Sequence, residues 1–104
     1  MDNQRKPGKE LEDYLDILRE KLPEIREQYN VRSMSVFGSY LHHTQSQESD
    51  LDLLVEFAVS PTLFQFIRLE NYLTKILGVN VDLVMKDALK PAIGKRVLKE
   101  AQPL

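Results

Sequence analysis

The sequence predicts a single α/β domain spanning residues 1–104, with a flexible N-terminus over residues 1–9. Three segments repeat apolar residues every three or four positions, which is the period of an amphipathic helix. Three shorter segments alternate in the manner of strands. Their order along the chain is helix, strand, strand, helix, strand, helix, and this order favours a compact domain in which helices cover a sheet.

The first helix is predicted from a stripe of apolar residues that steps by four and three positions. Its members are Leu11, Leu15, Leu18, Leu22, Ile25 and Tyr29. Pro23 lies inside this pattern and should kink the helix or restart it, because proline has no backbone donor. Asn30 should end the helix in a left-handed conformation.

Start and stop signals frame the other two helices. Ser60 should be the N-cap of the second helix, with Pro61 in its first helical position, and Gly78 should end it. The apolar stripe of the second helix is Phe66, Leu69, Leu73, Ile76 and Leu77. Pro91 should open the last helix. The residues expected to face inward there are Ile93, Val97, Leu98 and Ala101.

The three predicted strands cover residues 31–37, 50–57 and 79–85. In the second strand, alternation puts Asp50 and Asp52 together on the face opposite the main apolar one. The third strand likewise carries Asp82 opposite its apolar face. Acids inside apolar segments are costly to bury unless a cation or a hydrogen-bond donor meets them. These three carboxyl groups are therefore the first candidates for a functional site.

Composition excludes several classes of function. The formal net charge of -2 argues against general binding to nucleic acid, which needs a concentrated basic surface. The chain has no cysteine, so disulfides and thiolate metal sites are excluded. No apolar segment reaches membrane-spanning length, and the first residues lead into no signal-peptide core. We therefore expect a cytoplasmic protein that does not bind a membrane.

The spacing of the acids suits a divalent metal. Asp50 and Asp52 are two residues apart on one strand, so they share a face and lie roughly 6.6 Å apart along the strand. Their carboxylates can bind one Mg²⁺ together or bridge two ions. Asp82 would complete the cluster if the third strand lies beside the second. Without cations, three close carboxylates would repel one another. We predict all three as metal ligands and catalytic residues, with Asp82 also placed to accept the proton of an attacking hydroxyl.

Gly38 and Ser39 follow the first predicted strand, and Ser49 immediately precedes Asp50. Glycine lets the backbone approach a phosphate closely, and a Ser hydroxyl and the amides of a starting helical turn bind phosphate oxygens. We predict that Gly38, Ser39 and Ser49 contact a nucleotide. Alone, Gly-Ser occurs in countless turns, and Asp-Leu-Asp also suits a strand edge or a helix cap. The joint arrangement is much more specific.

That joint pattern resembles the minimal nucleotidyltransferases of the DNA polymerase β-like superfamily. The matching segments are FGSY at 37–40, SDLDLLVEF at 49–57, VDLV at 81–84 and the tail from 86 to 104. The resemblance implies a small mixed sheet with helices against one face, ATP as substrate and Mg²⁺, as two ions, as cofactor. It also implies that Gly38 and Ser39 contact phosphate and that the three acids bind the metal.

The resemblance further implies an antitoxin in a hetero-oligomer with a HEPN-domain ribonuclease toxin, onto whose tyrosine such enzymes transfer AMP. One departure bears on this reading. The chain has Leu41-His42-His43 where family members commonly carry an Ala-Arg-Gly-like stretch, and histidine is a poorer phosphate donor than arginine. Two alternatives therefore stay open: an antitoxin that neutralises its toxin by binding alone, and a nucleotide sensor without chemistry.

Overall fold

A computed structural model describes residues 11–38, 50–89 and 91–104, without the side chain of residue 93. The helices and strands it contains are α1 (Leu11–Tyr29), β1 (Val31–Phe37), β2 (Leu51–Phe57), α2 (Leu63–Leu77), β3 (Val81–Met85), α3 (Pro91–Glu100) and β4 (Gln102–Pro103). A short 3₁₀ turn, Lys86–Ala88, follows β3. The expected N-terminal flexibility of residues 1–9 falls outside the described residues.

The strands form one mixed sheet in the order β3-β2-β1-β4. β1 pairs antiparallel with β2 and with β4, whereas β2 and β3 are parallel. This confirms the expected mixed α/β architecture. β4 was not predicted from the sequence, and its two residues pair with Ser35 and Val36. Two residues are too few to show an alternating pattern, and Pro103 is tolerated there because β4 lies at the sheet edge.

α1 buries the stripe that the sequence predicts, although not evenly. Leu15, Leu18 and Ile25 are fully buried, and Tyr14 joins them. The helix continues through Pro23. Asn30 then has a φ of 56°, so the predicted left-handed stop after α1 is confirmed.

α2 begins later than the sequence analysis predicts. Its N-cap is Thr62 rather than Ser60, so Pro61 precedes the helix. The Oγ1 of Thr62 accepts the N–H of Gln65 at 3.1 Å, and the Gln65 side chain accepts the N–H of Thr62 at 3.0 Å. This reciprocal capping box satisfies two backbone donors, which a start at Ser60 would not do. The predicted end at Gly78 is confirmed, with a φ of 71°.

α3 begins at Pro91 as expected, but its predicted inward face is partly wrong. Leu98 is 46% exposed, and Val97 is only half-buried. Ala101 lies beyond the last helical residue. The side chain of Ile93 is outside the described part of the chain. A stripe of apolar residues shows which positions could be covered, but not whether another element lies there to cover them.

The core lies between α1, α2 and one face of the sheet. The side chains that define it are Leu15, Leu18 and Ile25 from α1, Val36, Leu51, Leu53 and Val55 from β1 and β2, and Leu69, Leu73 and Leu77 from α2. Because side chains alternate along a strand, the residues between Leu51, Leu53 and Val55 face away from this core. Within the described ranges, no helix has both the length and the apolar character needed to cross a membrane.

Candidate active site

Two acids meet where β2 and β3 run side by side. The parallel register sets Asp52 directly opposite Asp82. Asp52 is half-buried and Asp82 is exposed, whereas their strand neighbours are buried in the core. Asp50 is exposed and stands one residue before β2, which begins at Leu51 rather than at residue 50. The prediction that the third strand adjoins the second and brings Asp82 to Asp52 is confirmed.

The surroundings of Asp52 disfavour its charged form. Burial is the largest cause, followed by the negative charges of Asp82 and Asp50 and by a hydrogen bond with the Asp82 side chain. Together they raise the pKa of Asp52 from 3.8 to about 6. A carboxyl group with such a pKa binds a proton, or a metal cation in its place, more readily than an isolated one.

The turn after β1 closes over this carboxyl group. Gly38 has a φ of +84°, and the residue before it, Phe37, is paired with Asp52 across the antiparallel ladder. A β-carbon built on Gly38 would overlap Oδ2 of Asp52. It would also lie 2.9 Å from Cγ and 3.1 Å from Cβ of Asp52. The glycine backbone and the acid are therefore packed directly together.

The donor set fits a hard divalent cation. Carboxylate oxygens are preferred ligands of Mg²⁺, and a cation between Asp52 and Asp82 would offset the repulsion that raises the pKa of Asp52. The fit is incomplete in one respect. Among residues 11–38, 50–89 and 91–104, no three His, Asp or Glu side chains are already arranged around one point as metal ligands. The structure thus brings two of the three predicted ligands together and leaves Asp50 close enough to act on Asp52 through its charge.

The remaining predicted nucleotide contacts lie outside the described residues. These are Ser39 and Ser49, together with the Leu41-His42-His43 departure between them. Gly38 is the last described residue before this segment and Asp50 is the first after it. The two described residues that flank this segment are therefore both close to Asp52.

A fourth acid on the same face of β2, Glu56, has different surroundings. Its carboxylate lies 3.9 Å from Nη1 of Arg32 and 3.7 Å from Nζ of Lys86. It also accepts a hydrogen bond of 3.2 Å from the hydroxyl of Ser33. These contacts explain Glu56 as a structural residue of the sheet rather than as a further metal ligand.

Two polar residues of α2, neither of them predicted from the sequence as functional, support the strand that carries Asp82. β3 is an edge strand, so its outward backbone donors need partners from elsewhere. The N–H of Val81 donates to Oγ1 of Thr74 at 3.1 Å, and that of Leu83 to Oε2 of Glu70 at 3.0 Å. Asp82 lies between these two bonds. The only sequence signal was two polar residues four positions apart in α2, which is also typical of a solvent-exposed helix face.

The sequence as a whole matches a known domain family. The family of the nucleotidyltransferase domain matches residues 15–104, which include the whole acid pair and the Gly38 turn. The chain belongs to this nucleotidyltransferase family. Asp52, Asp82 and Gly38 are thus candidate active-site residues of a nucleotidyltransferase.

Individual relatives agree with the family. The protein adenylyltransferase MntA of Thermococcus cleftensis is 48% identical to this nucleotidyltransferase over 90 residues, which cover 86% of the chain and 91% of MntA. A solved structure described as a minimal nucleotidyltransferase superposes with a TM-score of 0.79 at 38% identity, covering 92% of this chain and 97% of that one.

A more distant structure shares the fold. It contains the tri-AMPylated HEPN toxin of Shewanella oneidensis in complex with an MNT antitoxin. The matched chain superposes with a TM-score of 0.57 at 21% identity, covering 88% of this nucleotidyltransferase and 66% of that chain. At this level of identity the match shows a common fold only.

Proposed function

We propose that this nucleotidyltransferase transfers AMP from ATP to a hydroxyl, that of a tyrosine, on a HEPN-domain ribonuclease toxin and so neutralises it. The observation that carries the proposal is the Asp52–Asp82 pair on adjacent parallel strands, with the Gly38 turn packed against it. Nucleotidyl transfer needs carboxylates that can hold a cation and a backbone turn that can approach phosphate, because its catalysis rests on positioning and on neutralising phosphate charge.

In this proposal, Asp50, Asp52 and Asp82 hold Mg²⁺, as two ions, and Gly38, Ser39 and Ser49 contact the phosphates of ATP. Mg²⁺ supplies charge neutralisation for the triphosphate when it is bound. The acceptor hydroxyl oxygen forms a bond to the α-phosphorus as the bond between that phosphorus and the bridging oxygen breaks. Pyrophosphate leaves with the bridging oxygen. Asp82, the more exposed acid of the pair, accepts the hydroxyl proton.

A protein acceptor is supported by the relative of highest identity among those compared above. MntA of Thermococcus cleftensis is a protein adenylyltransferase, and it matches this chain over 91% of its own length. An acceptor protein can reach Asp82 because that side chain is exposed at the surface. The HEPN toxin as acceptor and lasting partner follows the sequence resemblance, and a chain of the same fold is bound to an AMPylated HEPN toxin in Shewanella oneidensis. The proposed reaction takes place in the cytoplasm, where ATP is available.

One observation favours a second candidate function, neutralisation by binding alone. Leu41-His42-His43 stands where an arginine would bind phosphate oxygens in a bidentate manner. A chain that binds nucleotide weakly could still cover the active surface of its toxin. The two candidates differ in whether the acids are needed.

The test is intact-mass spectrometry of the HEPN partner after co-production with the wild type, with Asp50→Asn/Asp52→Asn or with Glu56→Gln. Glu56→Gln is the matched control, because Glu56 lies on the same strand face but pairs with Arg32 and Lys86. We expect whole adenylyl increments with the wild type and the control only. An unmodified partner that the double variant still neutralises would overturn the proposal in favour of binding alone.

A further inference from the structure

We infer that Gly38 is a positioning residue for Asp52: its missing side chain is what allows the Asp52 carboxyl group to lie against Asp82. This role is separate from the contact with phosphate for which a glycine in such a turn is expected. It rests on the proposed function, in which Asp52 binds a cation.

The overlap at Gly38 falls on the functional atoms of Asp52. Every atom that a β-carbon at position 38 would approach most closely belongs to the Asp52 side chain, beginning with Oδ2. The same side chain stands directly opposite Asp82 in the parallel register of β2 and β3. A side chain at position 38 and the Asp52–Asp82 pair therefore compete for one volume.

The backbone around this contact is held by strand pairing. Phe37 is paired with Asp52, and Val36 with Leu53, in the antiparallel ladder of β1 and β2. Asp52 is at the same time paired with Asp82 in the parallel ladder of β2 and β3. With both neighbours of β2 in place, a β-carbon at position 38 is accommodated chiefly by rotating the Asp52 carboxyl group away, with a smaller adjustment at Cβ of Asp52, which would lie 3.1 Å from it and does not move with that rotation. That rotation separates the carboxyl group from Asp82.

Gly78 provides an internal control for the backbone. It has a φ of +71°, close to the +84° of Gly38, but a β-carbon built there would meet nothing within 4 Å. Alanine at position 78 therefore reports only the strain of placing an L-residue in the left-handed region. Alanine at position 38 adds the displacement of Asp52 to the same strain. The difference between the two substitutions isolates the positioning role.

The first experiment measures Mn²⁺ binding without nucleotide, by calorimetry or by electron paramagnetic resonance, in the wild type, Gly38→Ala and Gly78→Ala. We expect Gly38→Ala to weaken Mn²⁺ affinity by about tenfold or more, the effect typical of disturbed ligand positioning, and Gly78→Ala to leave it unchanged. Equal affinity in Gly38→Ala and Gly78→Ala would overturn the inference, because a glycine that serves phosphate alone does not affect the metal in the absence of nucleotide.

The second experiment is a double-mutant cycle in the thermal unfolding midpoint, and it covers the case in which Gly38→Ala folds poorly. In the Asp52→Ala background the competing carboxyl group is absent. The midpoint loss caused by Gly38→Ala should therefore shrink markedly toward the loss caused by Gly78→Ala, with only the 3.1 Å contact to Cβ of residue 52 remaining. An undiminished loss in the Asp52→Ala background would overturn the inference.

The two experiments also separate this inference from the proposed function. A wild type that binds no Mn²⁺ would contradict the metal role proposed for Asp52. The unfolding cycle alone would then decide whether Gly38 positions the carboxyl group, since it requires neither metal nor nucleotide.

Discussion

Asp52 and Glu56 are carboxyl groups on one face of one strand, four residues apart, in opposite surroundings. Glu56 faces two cations and a hydroxyl donor, those of Arg32, Lys86 and Ser33. Asp52 faces the carboxyl groups of Asp82 and Asp50, and its pKa is raised to about 6. Two carboxyl groups on the same strand face thus differ in whether their surroundings stabilise or disfavour the negative charge.

The difference separates a carboxyl group that supports the fold from one whose charge the fold disfavours and which, in the proposed function, binds a cation. Partly exposed ion pairs such as those of Glu56 each contribute about 0–1 kcal/mol to stability. Asp52, in contrast, destabilises the protein when it is ionised, because burial and like charges both oppose its charge. A site that is costly in isolation and favourable with a cation suits the metal-dependent transfer that we propose.

The largest expected effect is on nucleotide transfer. Asp82→Asn should reduce the initial rate of AMP incorporation into the partner protein by a factor of at least about 100, because it removes a charge that acts on the reacting groups. Glu56→Gln should stay near the wild-type rate. Pyrophosphate release, measured in parallel, reports the same step. Similar losses in both variants would show that the Asp52–Asp82 pair and Glu56 are not functionally distinct.

A smaller effect is expected on stability, and its sign should be opposite for substitutions at Glu56 and at Asp52. At pH 7 without divalent cations, Glu56→Gln should lower the free energy of unfolding by about 0.5–1 kcal/mol, since its ion pairs are lost. Asp52→Asn should raise the free energy of unfolding, because a neutral amide replaces a disfavoured charge. Urea unfolding in the presence of a chelator measures both. A decrease in both variants would contradict the comparison.

The pH dependence of stability sharpens the comparison further. The folded protein binds a proton at Asp52 more tightly than the unfolded chain does, with a pKa of about 6 against 3.8. The stability contributed by that proton is fully present below about pH 3.8 and is lost as the pH rises through about 6. We therefore subtract the unfolding free energy of Asp52→Asn from that of the wild type. This difference should fall as the pH rises from about 3.8 to about 6 and beyond. A flat difference would mean that neither burial nor the charges of Asp82 and Asp50 raise the pKa of Asp52.

Local sequence predicts which acids share a face of β2, but it does not predict which residues of other elements lie beside them. Strand alternation puts Asp50, Asp52 and Glu56 on one face without any knowledge of the tertiary structure. That Asp82 stands opposite Asp52 depends on the pairing of strands separated by α2, so the sequence supports it only through the family resemblance. The same alternation cannot separate Asp52 from Glu56, because the partners Arg32 and Lys86 come from β1 and from the turn after β3.

The fold shows a similar division. Asn30 and Gly78 end their helices as expected, since a left-handed residue is a local requirement. The start of α2 was misplaced because two adjacent signals, Ser60-Pro61 and the Thr62–Gln65 capping box, compete within a few residues. The contact of Gly38 with Asp52 has no sequence signal at all, because it is made by the absence of a side chain.

The measurement that tests the central claim most directly is the shift of the thermal unfolding midpoint on adding Mg²⁺, compared among the wild type, Asp52→Asn and Glu56→Gln. A cation that binds only the folded state raises its stability. Mg²⁺ should raise the midpoint of the wild type and of Glu56→Gln, and should leave that of Asp52→Asn unchanged. An equal rise in all three proteins would contradict the claim that the acids around Asp52 form the cation site.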